Sequence, residues 1–220
     1  MTVSLILIVA MMAALVGWLL RQSIAERPWV AASGPQSAPL PAGFTAPRVG
    51  LLAFLAVVTS VFALTVSAYL MRMEMGADWR SMPVPGLLWA NSTALVLASL
   101  ALQLAWRAAA RDQARRLRQL LAAGGGFTLA FLAGQLLAWQ QLEAAGYYLV
   151  ANPANAFFYL LTALHGAHLL GGLMAWTRVL ARLHGNADAA WLCAGVELCA
   201  LYWHFLLLVW ALLFGLLLTT

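Results

Sequence analysis

Lysine is absent from the 220 residues, and only seven carboxylates accompany the twelve arginines. Charged residues total 9%, where soluble domains carry roughly one quarter, and hydrophobic residues reach 64%. That balance excludes a soluble domain and points to an integral membrane protein. The missing lysine, beside so much alanine and leucine, is a codon signature of a GC-rich bacterial genome and says nothing of function. Cysteine is scarce as well. Cys193 and Cys199 stand six apart in one apolar segment, on different faces of a helix of about 3.6 residues per turn, so no disulfide joins them there. No Cys or His pair has the spacing of a zinc site, an attached haem or a dinuclear copper centre. A net charge of +5 would suit nucleic acid, yet the arginines lie at the ends of apolar segments, where headgroup anchoring and topology account for them. No nucleic-acid partner is expected.

A hydrocarbon core of about 30 Å takes about 20 residues of helix. Six stretches meet that length, near 3–20, 50–71, 86–106, 126–145, 155–176 and 191–218. The sequence therefore predicts an all-α polytopic membrane bundle of six transmembrane helices. The first stretch has no basic residue ahead of it and is followed by Arg21 rather than a small-residue cleavage site, so it is expected to remain as a helix with Trp18 near its end. Residues 21–49 hold five of the eight prolines and read as an extended linker. The expected organisation is one separate N-terminal helix (1–20), a proline-rich cytoplasmic linker (21–49) and a five-helix core (50–220).

The loops after the first, third and fifth spans carry three, five and two arginines, and those after the second and fourth carry two and none. This positive-inside bias predicts both termini on the outer side, which is periplasmic for the expected location in a bacterial inner membrane. Arg107, Arg111, Arg115 and Arg118 recur at helical spacing, so the third span is expected to run on until Gly124-Gly125-Gly126 breaks it. Its basic face would then lie against anionic lipid.

Polar groups inside the spans require partners, because an unpaired polar group in hydrocarbon costs about 2–7 kcal/mol. They are Asn91, Gln135, His165, His168, Glu197 and His204. His165 and His168 share one face of the fifth span, and Glu197 and His204, seven apart, share one face of the sixth. Antiparallel spans bring these faces to similar depths, with Gly171 and Gly172 permitting close approach. The expectation is one connected polar cluster locking the last two helices; bis-histidine haem ligation and a proton path remain as alternatives.

The residues LTALHGAHLLGG (161–172), followed by YWHFLLLVW (202–210), resemble subunit III of the haem–copper cytochrome oxidases. The family pattern is T-G-x-H-G-x-H-x-x-x-G and then Y-W-H-F-x-D-x-V-W. Thr162, His165, Gly166, His168, Tyr202, Trp203, His204, Phe205 and Trp210 fall on it. The likeness extends over residues 50–220 through FLAVVTSVFALTVSAYL, PVPGLLWANSTALVLAS and FLAGQ. Where the family commonly carries buried carboxylates, this chain has Val58, Ala138 and Leu207, and it has one helix ahead of the shared five where typical members have two.

The resemblance implies a non-catalytic subunit III of a bacterial haem–copper terminal oxidase, in an aerobic respiratory chain where oxygen reduction is coupled to proton pumping. It implies no catalytic residue and no metal in this chain, with haem and copper in partner subunits. The implied partners are the catalytic subunit I, other oxidase subunits and phospholipid held in a cleft between helix groups, with a supporting role in proton uptake. Two alternatives stay open: a subunit-III-like accessory protein of nitric oxide reductase, and a self-contained membrane cytochrome b.

Overall fold

The computed structural model describes residues 45–219 apart from 77, 81, 186 and 187. The expected N-terminal span, Trp18 and the linker as far as residue 44 lie outside the described residues. Five helices follow in order: α1 (Ala46–Met75), α2 (Leu87–Ala109), α3 (Ala114–Ala144), α4 (Pro153–His184) and α5 (Ala189–Thr219). Each is long and apolar enough to cross a membrane. Pro47 in the first turn of α1 and Pro153 at the start of α4 occupy positions whose N–H has no helical partner. Asn152 caps α4 by accepting from the Ala154 N–H at 3.2 Å, and its amide donates to the Arg80 carbonyl at 2.6 Å. One side chain thus ends a loop and starts a helix.

Two boundaries differ from expectation. Helix α1 begins at Ala46, inside the predicted linker, because Pro47 favours a helix start rather than opposing one. The arginine-rich segment is not a continuation of the third span: α2 stops at Ala109, and Asp112 turns the chain at a φ of 53°, a left-handed conformation that Asp tolerates better than most residues. Helix α3 then runs unbroken through Gly124-Gly125-Gly126. A Cβ at Gly124 would lie 2.9 Å from Leu102 Cγ, and one at Gly125 would collide with the Trp176 ring. These glycines give up about 1 kcal/mol each in helix propensity and gain close interhelical contact.

Helices α2, α3, α4 and α5 form a closed ring in which α2 lies between α3 and α5, and α4 completes the circuit on the other side. Helix α1 stands outside that ring, against α4 and α5. Its most apolar stretch is 17% buried, against 44% for α4 and α5, so the other described helices leave most of α1 uncovered. Inside the ring Phe131, Phe158, Trp203 and Trp210 are fully buried.

Four indoles tie the ring together. Trp210 of α5 donates to Ser92 Oγ of α2 at 2.9 Å, Trp203 of α5 to Thr128 Oγ1 of α3 at 2.9 Å, and Trp139 of α3 to Thr162 Oγ1 of α4 at 3.1 Å. Each hydroxyl passes its own proton to the carbonyl four residues back, at 2.8, 2.8 and 2.7 Å, which leaves a lone pair for the indole. The fourth, Trp176 of α4, donates to the Leu121 carbonyl of α3 at 3.1 Å.

Candidate functional site

The four groups expected to form one cluster find four separate sets of partners. His165 is fully buried in α4. Its Nε2 donates to the Leu206 carbonyl of α5 at 3.1 Å, and its ring packs between Phe131 and Trp210, with centroids at 5.5 and 5.2 Å. His168 turns elsewhere: Nδ1 donates to its own helix at the Leu164 carbonyl, 2.7 Å away, while the ring lies against Phe54 and Phe62 of α1. Three residues along a helix is a rotation of about 300°. That offset sends one ring into the bundle and the other toward α1.

Glu197 and His204 do share a face of α5, but the face looks outward to α1 and α2 rather than to α4. Glu197 pairs with Arg48 of α1 at 3.6 Å. His204 bonds through Nδ1 to Ser99 Oγ and through Nε2 to Gln103 Oε1, the latter at 2.9 Å, both on α2. The amide oxygen can only accept, so Nε2 carries the proton, and Nδ1 accepts from the Ser99 hydroxyl. Ser99 is buried, Gln103 is half-buried and His204 is exposed at the centre of α5. The result is a polar strip, Ser99–His204–Gln103, on the outside of the bundle at mid-span. Ser99 and Gln103 were not singled out from the sequence. Their spacing of four residues, which places both on one face of an apolar span, is the signal that could have found them.

Tyr202 donates to the His168 carbonyl at 2.9 Å, and a Cβ at Gly172 would lie 2.7 Å from the Tyr202 ring, so that glycine does admit a close contact. A Cβ at Gly171 would meet nothing within 4 Å. A Cβ at Gly166 would make only an ordinary contact with Leu132, at 3.7 Å, and Phe205 packs partly buried against the core. Asn91 sits against Gly134, where a Cβ would collide with its amide oxygen. Asn91 and Gln135 are both buried.

Val58 is 2% exposed in a cluster with Phe62, Leu161 and Leu213, and Ala138 is fully buried. These two family carboxylate positions are filled by apolar packing. Among the described residues no group of three or more His, Cys, Asp or Glu side chains could hold a metal ion. An apolar cleft of about 390 Å³ opens between α1, α4 and α5, lined by Leu51, Phe54, Gly171, Trp191, Gly195 and Tyr202.

No protein-family model matches the chain. Among curated proteins, the cytochrome c oxidase subunit 3 of Thermostichus vulcanus is 29% identical over 179 residues, which cover 77% of this chain and 85% of that protein. The protein of the same name from Synechocystis sp. is 29% identical over 176 residues, 75% of this chain and 72% of its own length. A probable cytochrome c oxidase subunit 3 of Mycobacterium bovis is 30% identical over 157 residues, 70% of this chain and 76% of that protein.

Proposed function

The chain belongs to the cytochrome c oxidase subunit 3 family, and from that premise we propose that it is the non-catalytic subunit III of a bacterial haem–copper terminal oxidase. It packs in the inner membrane against the catalytic subunit, which carries the haem and copper, and it stabilises that subunit during turnover. The observation that carries this reading is the Ser99–His204–Gln103 strip. A histidine and a glutamine at mid-span suit a protein neighbour and not lipid tails, because polar groups in hydrocarbon face protein or a water-filled cavity. The strip's outer surface is therefore the docking face for the catalytic subunit.

The α1/α4/α5 cleft holds phospholipid acyl chains, consistent with its aromatic and glycine lining. Support of proton uptake is indirect in this chain. With Val58 and Ala138 buried in apolar packing, the contribution comes from holding the catalytic subunit and its lipid in place. Both termini face the periplasm, as the arginine distribution favours.

The test is affinity purification of the full chain from its host in mild detergent, followed by mass spectrometry and a reduced-minus-oxidised spectrum. The expected result is a stoichiometric haem–copper catalytic subunit that is lost from the His204→Leu variant. Recovery of a nitric oxide reductase catalytic subunit in its place, or of haem on the isolated chain, would overturn the proposal.

A further inference from the structure

Residues 107–118 contain five arginines and one aspartate, and the fold gathers three of those arginines around one groove. Arg107 lies in the last turn of α2, Arg111 in the turn that follows, and Arg116 at the start of α3. Together with Leu104, Gln119 and Leu120 they line a cavity of about 530 Å³ between the two helix ends. Among the described residues no ion pair joins these three guanidiniums to a carboxylate. Arg116 makes one long hydrogen bond, 3.3 Å, to the Gln113 side chain. Arginines that serve only as topology markers need no common cavity; these three line one.

The groove also has a polarity gradient along the helix axes. Arg107, Arg111 and Arg116 lie at the helix ends and the turn, whereas Leu104 and Leu120 lie about one turn further along α2 and α3, toward the membrane-spanning part. A free anion would use the arginines alone. An amphiphile with an anionic head and an apolar tail would use both. Arginine is the side chain best matched to phosphate oxygens, because its planar fork donates two parallel hydrogen bonds. We propose that this groove is a discrete binding site for an anionic phospholipid, with the phosphate between Arg107, Arg111 and Arg116 and an acyl chain along Leu104 and Leu120. The site is separate from the α1/α4/α5 cleft and does not rest on the oxidase assignment.

The experiment measures lipid retention by native mass spectrometry on the full-length chain in detergent, titrated with phosphatidylglycerol, with phosphatidylcholine and with inorganic phosphate. Wild-type chain is expected to hold one phosphatidylglycerol against a large excess of phosphatidylcholine, and inorganic phosphate at millimolar concentration is expected not to displace it. The Arg107→Gln/Arg111→Gln/Arg116→Gln variant should lose about a hundredfold in affinity, roughly fivefold for each arginine removed. The Arg115→Gln/Arg118→Gln variant, whose arginines do not line the groove, should lose less than about fivefold, since exposed charges at a distance are screened. Arg111→Gln alone, in a turn outside both helices, gives a fivefold loss that does not depend on the folding of the triple variant. Equal losses in the triple and double variants would overturn the site in favour of diffuse attraction. Displacement by inorganic phosphate alone would overturn the lipid assignment.

Discussion

The interior of the helix ring and the outer face of α2 and α5 each hold a histidine at one depth, and the two are treated oppositely. His165 reaches the Leu206 carbonyl, two residues from His204 along α5. It is fully buried among aromatic rings and makes one bond to backbone. His204 is exposed and engages two side chains of a neighbouring helix. The interior is built on indoles and hydroxyls whose partners are all within the chain, so its cost of disruption falls on folding. The outer strip lies at the surface of the bundle, so on the proposed reading its cost of disruption falls on assembly.

The largest break should come from the interior. Trp203→Ala removes a fully buried indole and its bond to Thr128 and is expected to cost about 3–5 kcal/mol. Trp203→Phe keeps most of the packing and should cost about 1–3 kcal/mol, because the Thr128 hydroxyl loses its indole donor in a buried place. Thermal unfolding of the full chain in detergent measures both.

The two histidines sharpen the comparison. His165→Leu should destabilise the purified chain by about 1 kcal/mol, since the Leu206 carbonyl keeps its place in the helix ladder when the imidazole donor is lost. His204→Leu should leave the stability of the purified chain within about 0.5 kcal/mol, because the Ser99 hydroxyl can turn to its own helix backbone and an exposed substitution otherwise costs little, while releasing the chain from its complex. Equal effects of the two substitutions on the purified chain would erase the distinction between the two regions.

What the sequence conveys about this molecule follows from what each residue's neighbours are. The five described spans were legible because each apolar run fills a bilayer thickness by itself. The family motif was legible because Thr162, His165, Tyr202, Trp203 and Trp210 stand at fixed spacings. The partners of the polar groups were not. His165 and His168 share a face by spacing, yet three residues of helix fall about 60° short of a full turn, and that offset sends them to different helices. Gly124-Gly125-Gly126 read as a break from propensity alone, whereas Leu102 and Trp176 on other helices decide its role. Ser92, Thr128 and Thr162 were silent because a helical hydroxyl satisfies itself on its own backbone, and nothing local announces the indole that will approach it.

The smallest expected effect lies outside the spans. Arg72 donates to both oxygens of Asp78, each at 2.8 Å, and that guanidinium holds the Asp78 carboxyl below the usual carboxylate range. A carboxyl lowered in the folded state adds stability above its unfolded pKa, and the gain fades as pH falls through the lowered value. Asp78→Asn should therefore give a slightly lower unfolding temperature than wild type near neutral pH. The difference should close as pH drops below about 4. A difference that stayed constant over that range would mean the pair contributes nothing through its charge.

The central claim, that the outer face of α2 and α5 docks a protein, is tested most directly by site-specific photo-crosslinking in intact membranes. Leu100 of α2, next to Ser99, and Leu136 of α3 are both exposed, at 52% and 56%, so a photoreactive residue at either position reports on its neighbour without entering the core. The account predicts a covalent adduct with the haem–copper catalytic subunit from position 100 and only lipid adducts from position 136. Protein adducts from position 136 with none from position 100 would contradict it.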